Sequence, residues 1–232
     1  SVIGITDGDS VQLFPSSQDH KRIFEGDNGP NTGGMGAYSP TPVVSETLEN
    51  EVLEKVFVPA VRELKSQGIA YQGFLYAGIM VTKSGFGVLE FNVRLGDPEA
   101  QVLLPRMKND LLEVLFACVE GKLSTIRLEW KEETVVCVVI ASGGYPADYE
   151  VDKKIAGLSM AKEEPGVLIF HAGTKRQNGE LVTAGGRVLN VVGHGRGMFE
   201  ALSRTYNAVN KIFFDKMYYR KDIGHRAVRV FR

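Results

Sequence analysis

Glu90, Asn92 and Arg94 recur at two-residue spacing in the run Leu89-Glu90-Phe91-Asn92-Val93-Arg94-Leu95-Gly96-Asp97-Pro98-Glu99. On a β-strand that spacing puts the three polar side chains on one face and Leu89, Phe91, Val93 and Leu95 on the other, the expected core face. A carboxylate and a carboxamide oxygen are hard donors that suit Mg²⁺, and a guanidinium one step further along meets a phosphate or carboxylate through paired N–H groups. The same alternation also describes a half-buried strand whose outer face is simply solvated, which is the commoner arrangement.

A second block with chemical content is Gln18-Asp19-His20-Lys21-Arg22, followed by Gly29-Pro30-Asn31-Thr32-Gly33-Gly34-Met35-Gly36-Ala37-Tyr38-Ser39-Pro40. Glycines permit positive φ and let backbone amides approach an anion, while Lys21 and Arg22 add positive charge, so the block suits a phosphate or carboxylate ligand. It matches neither G-x-G-x-x-G nor G-x-x-x-x-G-K-[ST], which gives no support to a dinucleotide fold or a Walker loop. A flexible surface segment is the ordinary reading of glycine-rich sequence. His20, His171, His194 and His225 share no metal-ligand spacing with one another or with cysteine, so zinc is not expected. A turn is the simplest role for His171, and ion pairs or solvated charge are the simplest roles for Arg187, Arg220 and Lys221, each also a cation that a phosphate would attract.

The elements that must position these groups follow from patterning. Val2–Thr6 and Val11–Phe14 read as strands joined at Asp7-Gly8-Asp9. The polar stretch 18–42 reads as one long functional loop. Ser45 is placed to cap a helix with an apolar stripe of Leu48, Val52, Val56, Ala60 and Leu64, kinked at Pro59 and ending before Gly68. Residues 73–82 and 87–94 read as an antiparallel hairpin turning at Lys83-Ser84-Gly85. Pro98 opens a helix, Asn109 is placed to cap another over 110–120, and Gly121 to end it. Beyond a boundary near 128–133, short apolar runs at Val135–Ala141, Val167–His171 and Arg187–Val192 and an amphipathic helix over 198–212 suggest a small α+β or barrel-like domain. The expected domains are therefore 1–130 and 131–232.

Composition sets outer bounds. The 232 residues are 44% hydrophobic, enough for a substantial core, and 27 basic against 28 acidic residues leave no footprint of the kind nucleic-acid binders carry. Cys118 and Cys137 lie in apolar surroundings, which fits free thiols in a reducing cytoplasm. No membrane span or signal peptide is visible. Ser1 stands at the start of a strand, so the expectation is a fragment, or a chain cut at a domain boundary, rather than a whole gene product.

The E-x-N-x-R-x-G-D-P-E string resembles the metal-binding strand of the ATP-grasp ligases, and with Gly96-Asp97-Pro98-Glu99 attached it is similar to the glycinamide ribonucleotide synthetase family. The Q-D-H-K-R and G-P-N-T-G-G-M-G-A-Y-S-P runs resemble the same family. So do Gly73 to Gly78, Phe170 to Thr174, Gly185 to Leu189 and Arg220 to Gly224, so the likeness spans essentially the whole chain.

The resemblance implies an α+β chain made of the carboxyl-terminal part of an ATP-grasp fold, an antiparallel sheet with helices, followed by a small barrel-like β-rich domain. It implies ATP-dependent joining of glycine to phosphoribosylamine in purine synthesis, through a glycyl phosphate. Glu90 and Asn92 are then metal ligands for Mg²⁺ or Mn²⁺, and Arg94 and Lys21 are catalytic. Asp19, Lys21, Asn31, Gly33, Gly34, Arg94 and Asp97 are substrate contacts. The partners expected are ATP, glycine, phosphoribosylamine and an amino-terminal part preceding Ser1, with no nucleic acid or membrane. The runners-up are another ATP-grasp ligase, such as a carboxyaminoimidazole synthetase or biotin carboxylase relative, and a non-catalytic domain that keeps the fold.

Overall fold

In the computed structural model, which describes residues 1–230, the first half runs β1 (Val2–Thr6), β2 (Val11–Leu13), β3 (Gln18–Asp19), β4 (Arg22–Phe24), β5 (Asn28–Asn31), β6 (Gly36–Ser39), α1 (Glu46–Val52), α2 (Val58–Ser66), β7 (Gly73–Thr82), β8 (Gly85–Asn92), α3 (Ala100–Leu103) and α4 (Leu111–Val119). The second half runs β9 (Thr134–Ser142), α5 (Leu158–Lys162), β10 (Val167–His171), β11 (Thr174–Gln177), β12 (Glu180–Thr183), β13 (Arg187–Gly195), α6 (Met198–Val209), β14 (Met217–Tyr218) and α7 (His225–Val230). Every pairing between these strands is antiparallel, and helices and sheets are segregated as an α+β chain requires. Two compact units form. One comprises residues 1–17, 40–96 and 103–132, the other 18–39, 97–102 and 133–232. The segments 18–39 and 97–102, which sequence continuity assigns to the first domain, thus cluster with the second unit.

The first unit is built on the sheet β2-β1-β7-β8. The turn after β1 is held by Asp7, whose Oδ1 accepts from the N–H groups of Asp9 at 3.1 Å and Ser10 at 2.7 Å, an arrangement typical of Asp in turns. Ser45 Oγ accepts from Leu48 N at 3.3 Å and starts the helix as expected. The stripe then departs from the expected period. A single π-helical turn, Leu53–Phe57, separates α1 from α2, and the buried positions shift from Val52 and Val56 to Phe57 and Val61. Pro59 has no N–H to give to the carbonyl four residues back, and the wider turn ahead of it inserts one residue, rotating the apolar face by about 100°. These side chains pack with Val2, Leu75 and Ala77 into one core, each full burial worth about 1.5–3 kcal/mol.

Asp110, not Asn109, caps α4, its Oδ1 accepting from Leu112 N at 2.8 Å. Asn109 is engaged elsewhere, donating to Arg127 O at 3.0 Å and accepting from Glu129 N at 2.7 Å. Gly121 ends this helix in a left-handed conformation, φ 70°.

The second unit centres on β9 and β13, two nine-residue strands that are almost wholly buried, in the sheet order β10-β13-β9-β6-β3 with β14 also on β9. Strands buried on both faces read as continuous apolar runs, which is why they are legible in the sequence. Helix α6 lies close on β13 because Gly193 has no side chain: a Cβ there would stand 2.8 Å from the Ala201 carbonyl oxygen. The stretch 18–42 is not one irregular loop. It contains β3 to β6, with β6 paired along β9 from Gly36 opposite Val138 to Ser39 opposite Val135. Strands of two to four residues carry too little alternation to be seen without their partners.

Candidate functional site

In the first unit the metal-type row sits on β8. Glu90 faces Gly78 and Asn92 faces Tyr76 across the β7–β8 ladder, and a bulge between Gly78 and Ile79 leaves Leu89 as the extra residue just before Glu90. Bulges of this kind re-aim the neighbouring side chain. Gly78 makes room for it, since a Cβ there would lie 3.2 Å from Glu90 Cγ. No irregularity falls between Glu90 and Asn92, so their side chains share one side of the strand. Arg94 lies two residues past the end of β8 and turns back, donating to Leu95 O at 3.0 Å and to Asn92 Oδ1 at 3.4 Å.

The expected core face is a correction. Leu89, Phe91 and Val93 are 66%, 48% and 73% exposed. β8 is the outer strand of its sheet, and an edge strand leaves more of its side chains open to solvent.

Glu90 and Asn92 offer two hard oxygens, the donor chemistry a divalent ion such as Mg²⁺ takes. Among the described residues no group of three or more His, Cys, Asp or Glu is placed to hold a metal. An ion on this pair would therefore complete its shell with water and phosphate oxygens, as Mg²⁺ commonly does at nucleotide sites. The residues fit such a group.

The second unit gathers Asp19, Lys21, Asn31, Gly33, Gly34 and Asp97. The Asp19 side chain is 2% exposed, and among the described residues neither carboxylate oxygen has a directed hydrogen-bond partner. Lys21 Nζ, on a half-exposed side chain, makes an ion pair with it at 3.2 Å. Burial and the nearby Glu99 charge push the Asp19 carboxyl up to about 7 against the opposing pull of Lys21. Gly34, at φ 121°, presses on this carboxylate: a Cβ there would lie 2.8 Å from Asp19 Oδ1 and 2.5 Å from Pro98 Cδ.

The backbone amides of the glycine-rich segment are spent within the fold. Thr32 N donates to Lys21 O at 2.8 Å, Gly33 N to the Tyr145 hydroxyl at 3.0 Å, Gly34 N to Thr32 Oγ1 at 2.9 Å and Met35 N to His20 O at 2.9 Å. The amide cradle that glycine content suggested is thus absent at 32–35. Asn31 is exposed and pairs with Arg22 across the β4–β5 ladder.

Arg187 is a residue whose importance sequence reasoning undervalued. Its Nη1 donates to Asp97 O at 2.6 Å and Gly33 O at 3.0 Å and lies 3.4 Å from Asp97 Oδ1. Its partner Gly33 is 154 positions away, and sequence carries no signal for a contact at that separation. Arg220, a phosphate candidate, is instead fully buried and committed to Asp222 at 2.8 Å and Asp27 at 3.1 Å. Burial works the other way, yet these bonds hold the Asp222 carboxyl down to about 2. Lys221 is exposed. His171 Nδ1 lies 3.0 Å from Thr174 Oγ1, inside a turn.

His20 is also structural. Its Nε2 accepts from Gly224 N at 3.2 Å, which leaves Nδ1 as the donor to Gly36 O at 3.3 Å. Burial and the charges of Arg220 and His225 lower it to about 3. Cys118 and Cys137 are free and buried, and burial raises both thiols. No helix among the described residues is long and apolar enough to cross a membrane.

Residues 1–100 match the model of the phosphoribosylglycinamide synthetase ATP-grasp (A) domain, and residues 135–226 match that of the phosphoribosylglycinamide synthetase C domain. The chain is 49% identical over 228 residues to the phosphoribosylamine–glycine ligase of Chlorobaculum tepidum, covering 98% of this chain and 54% of that protein. It is 46% identical over 224 residues to the ligase of the same name from Caldanaerobacter subterraneus, covering 97% and 53%. The crystal structure of the phosphoribosylamine–glycine ligase of Thermotoga maritima superimposes with a TM-score of 0.84 at 35% identity, over 96% of this chain and 54% of that one. The biotin carboxylase of Campylobacter jejuni, at 16% identity and a TM-score of 0.62 over 93% of this chain and 46% of that one, shares the fold alone. The chain spans about half the length of the curated relatives it matches. With both domain models matched in order along a fold these ligases share, the chain belongs to the phosphoribosylglycinamide synthetase family.

Proposed function

We propose that this chain forms part of a phosphoribosylamine–glycine ligase, which joins glycine to 5-phosphoribosylamine at the expense of ATP in purine biosynthesis. The observation that carries the reading is the Glu90 and Asn92 pair on one side of β8, in a chain 49% identical to a ligase of that name. A carboxylate is a poor electrophile. Transfer of the ATP γ-phosphoryl group to a glycine carboxylate oxygen releases ADP and gives glycyl phosphate. The phosphoribosylamine nitrogen then attacks the acyl carbon, the carbon–oxygen bond to phosphate breaks, and the nitrogen loses a proton, leaving the amide and inorganic phosphate.

Glu90 and Asn92 would hold Mg²⁺ or Mn²⁺, and such an ion, when bound, neutralises charge on the transferring phosphates. ATP-grasp ligases as a class use ATP and divalent ions. Arg94 and Lys21 steady phosphate oxygens through the transfer. Asp19, buried and paired to Lys21, sets the direction of that ammonium. Asn31, Gly33, Gly34, Arg94 and Asp97 complete the substrate contacts. The functional domains in this reading are 1–130 and 131–232, working with the further half that the relatives possess, in a reducing cytoplasm where the two thiols stay free.

The test is a chimaera in which this chain replaces the matching 228 residues of the Chlorobaculum tepidum ligase. ADP release that requires both glycine and phosphoribosylamine supports the reading. Release that ignores either substrate points to another ATP-grasp ligase, and none at all to a non-catalytic domain. The chain alone is expected to show no turnover.

A further inference from the structure

The Arg187 clamp has a chemical consequence. One guanidinium nitrogen holds the Gly33 carbonyl at 3.0 Å and the Asp97 carbonyl at 2.6 Å, with Gly34 O at 3.5 Å and Asp97 Oδ1 at 3.4 Å. The flat face of the group lies on the Gly33 backbone, where a Cβ would come 2.9 Å from Arg187 Cζ. The Tyr145 hydroxyl holds the Gly33 N–H from its own side at 3.0 Å. The Arg187 side chain is 22% exposed, so the clamp is largely shielded from water.

Within this clamp the two oxygens of Asp97 differ. Oδ1 faces Arg187 and also accepts from Gln101 Nε2 at 3.1 Å. Oδ2 takes no bond from any described residue, and the Asp97 side chain is 45% exposed. Arg187 fixes the residue through its short bond to the Asp97 carbonyl, and the Gln101 bond and the long Arg187 contact both fall on Oδ1, which leaves the second carboxylate oxygen as a preset acceptor with negative charge. The complementary ligand is a compact hydrogen-bond donor that is cationic, namely a primary ammonium.

We infer that Arg187 is a positioning residue that presents Asp97 Oδ2 as the receptor for the ammonium group of an amine substrate. The inference rests on the ligase reading for its natural ligand, which is either glycine or phosphoribosylamine. It also makes a claim about this chain alone, that a small ammonium compound binds at Asp97.

The experiment titrates the chain with glycine, methylammonium and acetate while following the backbone amide resonances of Gly33, Gly34 and Asp97. Glycine and methylammonium are expected to give saturable shifts there and acetate none. Arg187→Met should weaken both ligands at least tenfold, and Arg187→Lys should restore part of the loss, because all four contacts of the guanidinium come from one nitrogen that an ammonium can imitate. Gly33→Ala displaces the guanidinium without removing it and should weaken binding in the same direction, with an effect that does not add to that of Arg187→Met.

In the chimaera, Arg187→Met should raise KM for only one of the two amine substrates, identifying the source, and leave KM for ATP within about twofold. Absence of shifts with glycine and methylammonium in the unaltered chain overturns the inference, whatever the chimaera does. So does binding that Arg187→Met and Gly33→Ala leave untouched. Failure of glycine-dependent ADP release in the chimaera would sink the ligase reading instead.

Discussion

The two polar regions of this chain are built in opposite ways. On β8 in the first unit, Glu90 is exposed and Asn92 half-buried, and among the described residues their side-chain oxygens have no hydrogen-bond partner apart from the long contact of Asn92 with Arg94. In the second unit a set of polar groups is turned inward on one another: Arg220 on Asp27 and Asp222, His20 on Gly224 and Gly36, and the amides of 32–35 on their neighbours. The difference separates groups that are there to meet something from groups that hold the fold. Hydrogen-bonding capacity left open at a surface is available to a ligand, whereas the same capacity buried must be satisfied internally or the chain is destabilised.

The sharpest test of the inward-turned region is Arg220→Met. Removing the fully buried guanidinium takes the shared cation from Asp222 and Asp27, which are only 20% and 26% exposed though Arg226 stays on Asp27, and the expected loss is about 3 kcal/mol in urea unfolding of the second unit. A loss below about 1 kcal/mol would mean that the cluster is solvated after all. On the open region, Glu90→Ala in the chimaera should reduce ligation about 100-fold or more, the scale for removing an electrostatic group from a phosphoryl-transfer site. Its thermal midpoint should stay within about 2 °C of the parent, because an exposed residue carries little packing. A large midpoint drop with activity retained would reverse the assignment.

Gly34→Ala sits between these two. The added methyl meets Asp19 and Pro98 in a backbone region that disfavours side chains, so the expected cost is about 2 kcal/mol. The remaining effects, graded rather than all at once, are those of pH. His20 is held neutral, with its folded value lowered to about 3, so its contribution is intact above the unfolded value and is lost as pH falls from about 6.5 towards 3, with a slope of at most about 1.4 kcal/mol per pH unit. Asp19 runs the other way. Its folded value is raised to about 7, so its contribution is lost as pH rises from about 4 through 7. Asp19→Asn should accordingly gain stability at pH 8 relative to pH 5, and a flat difference between those two values would refute the buried-carboxylate account.

Much of the scaffold is readable along the chain because its signals are local. The Asp7 turn, the Ser45 cap and the Gly121 stop each depend on atoms a few residues apart. The long apolar runs of β9 and β13 declare buried strands without reference to their partners. Where the reading slipped, a distant contact decided. Asn109 has the chemistry of a cap but is drawn off by residues 127 and 129, leaving the role to Asp110. Strand β6 exists because β9 is there to pair with and β3 because β6 is, and the buried stripe of α1 and α2 shifts because a π turn forms ahead of Pro59.

By itself the sequence determined the chemistry on offer: which side chains alternate on β8, where helices begin and end, and that two hard oxygen donors share one side of a strand. Those properties follow from backbone periodicity and neighbouring residues alone. Only the tertiary structure decided which polar groups remain open. Whether Arg220 meets a ligand or Asp222, whether the Gly33 amide meets an anion or Tyr145, and whether Arg187 is a solvated charge or the clamp on Asp97 are settled by long-range proximity and exclusion of water, and neither is written in the order of the residues.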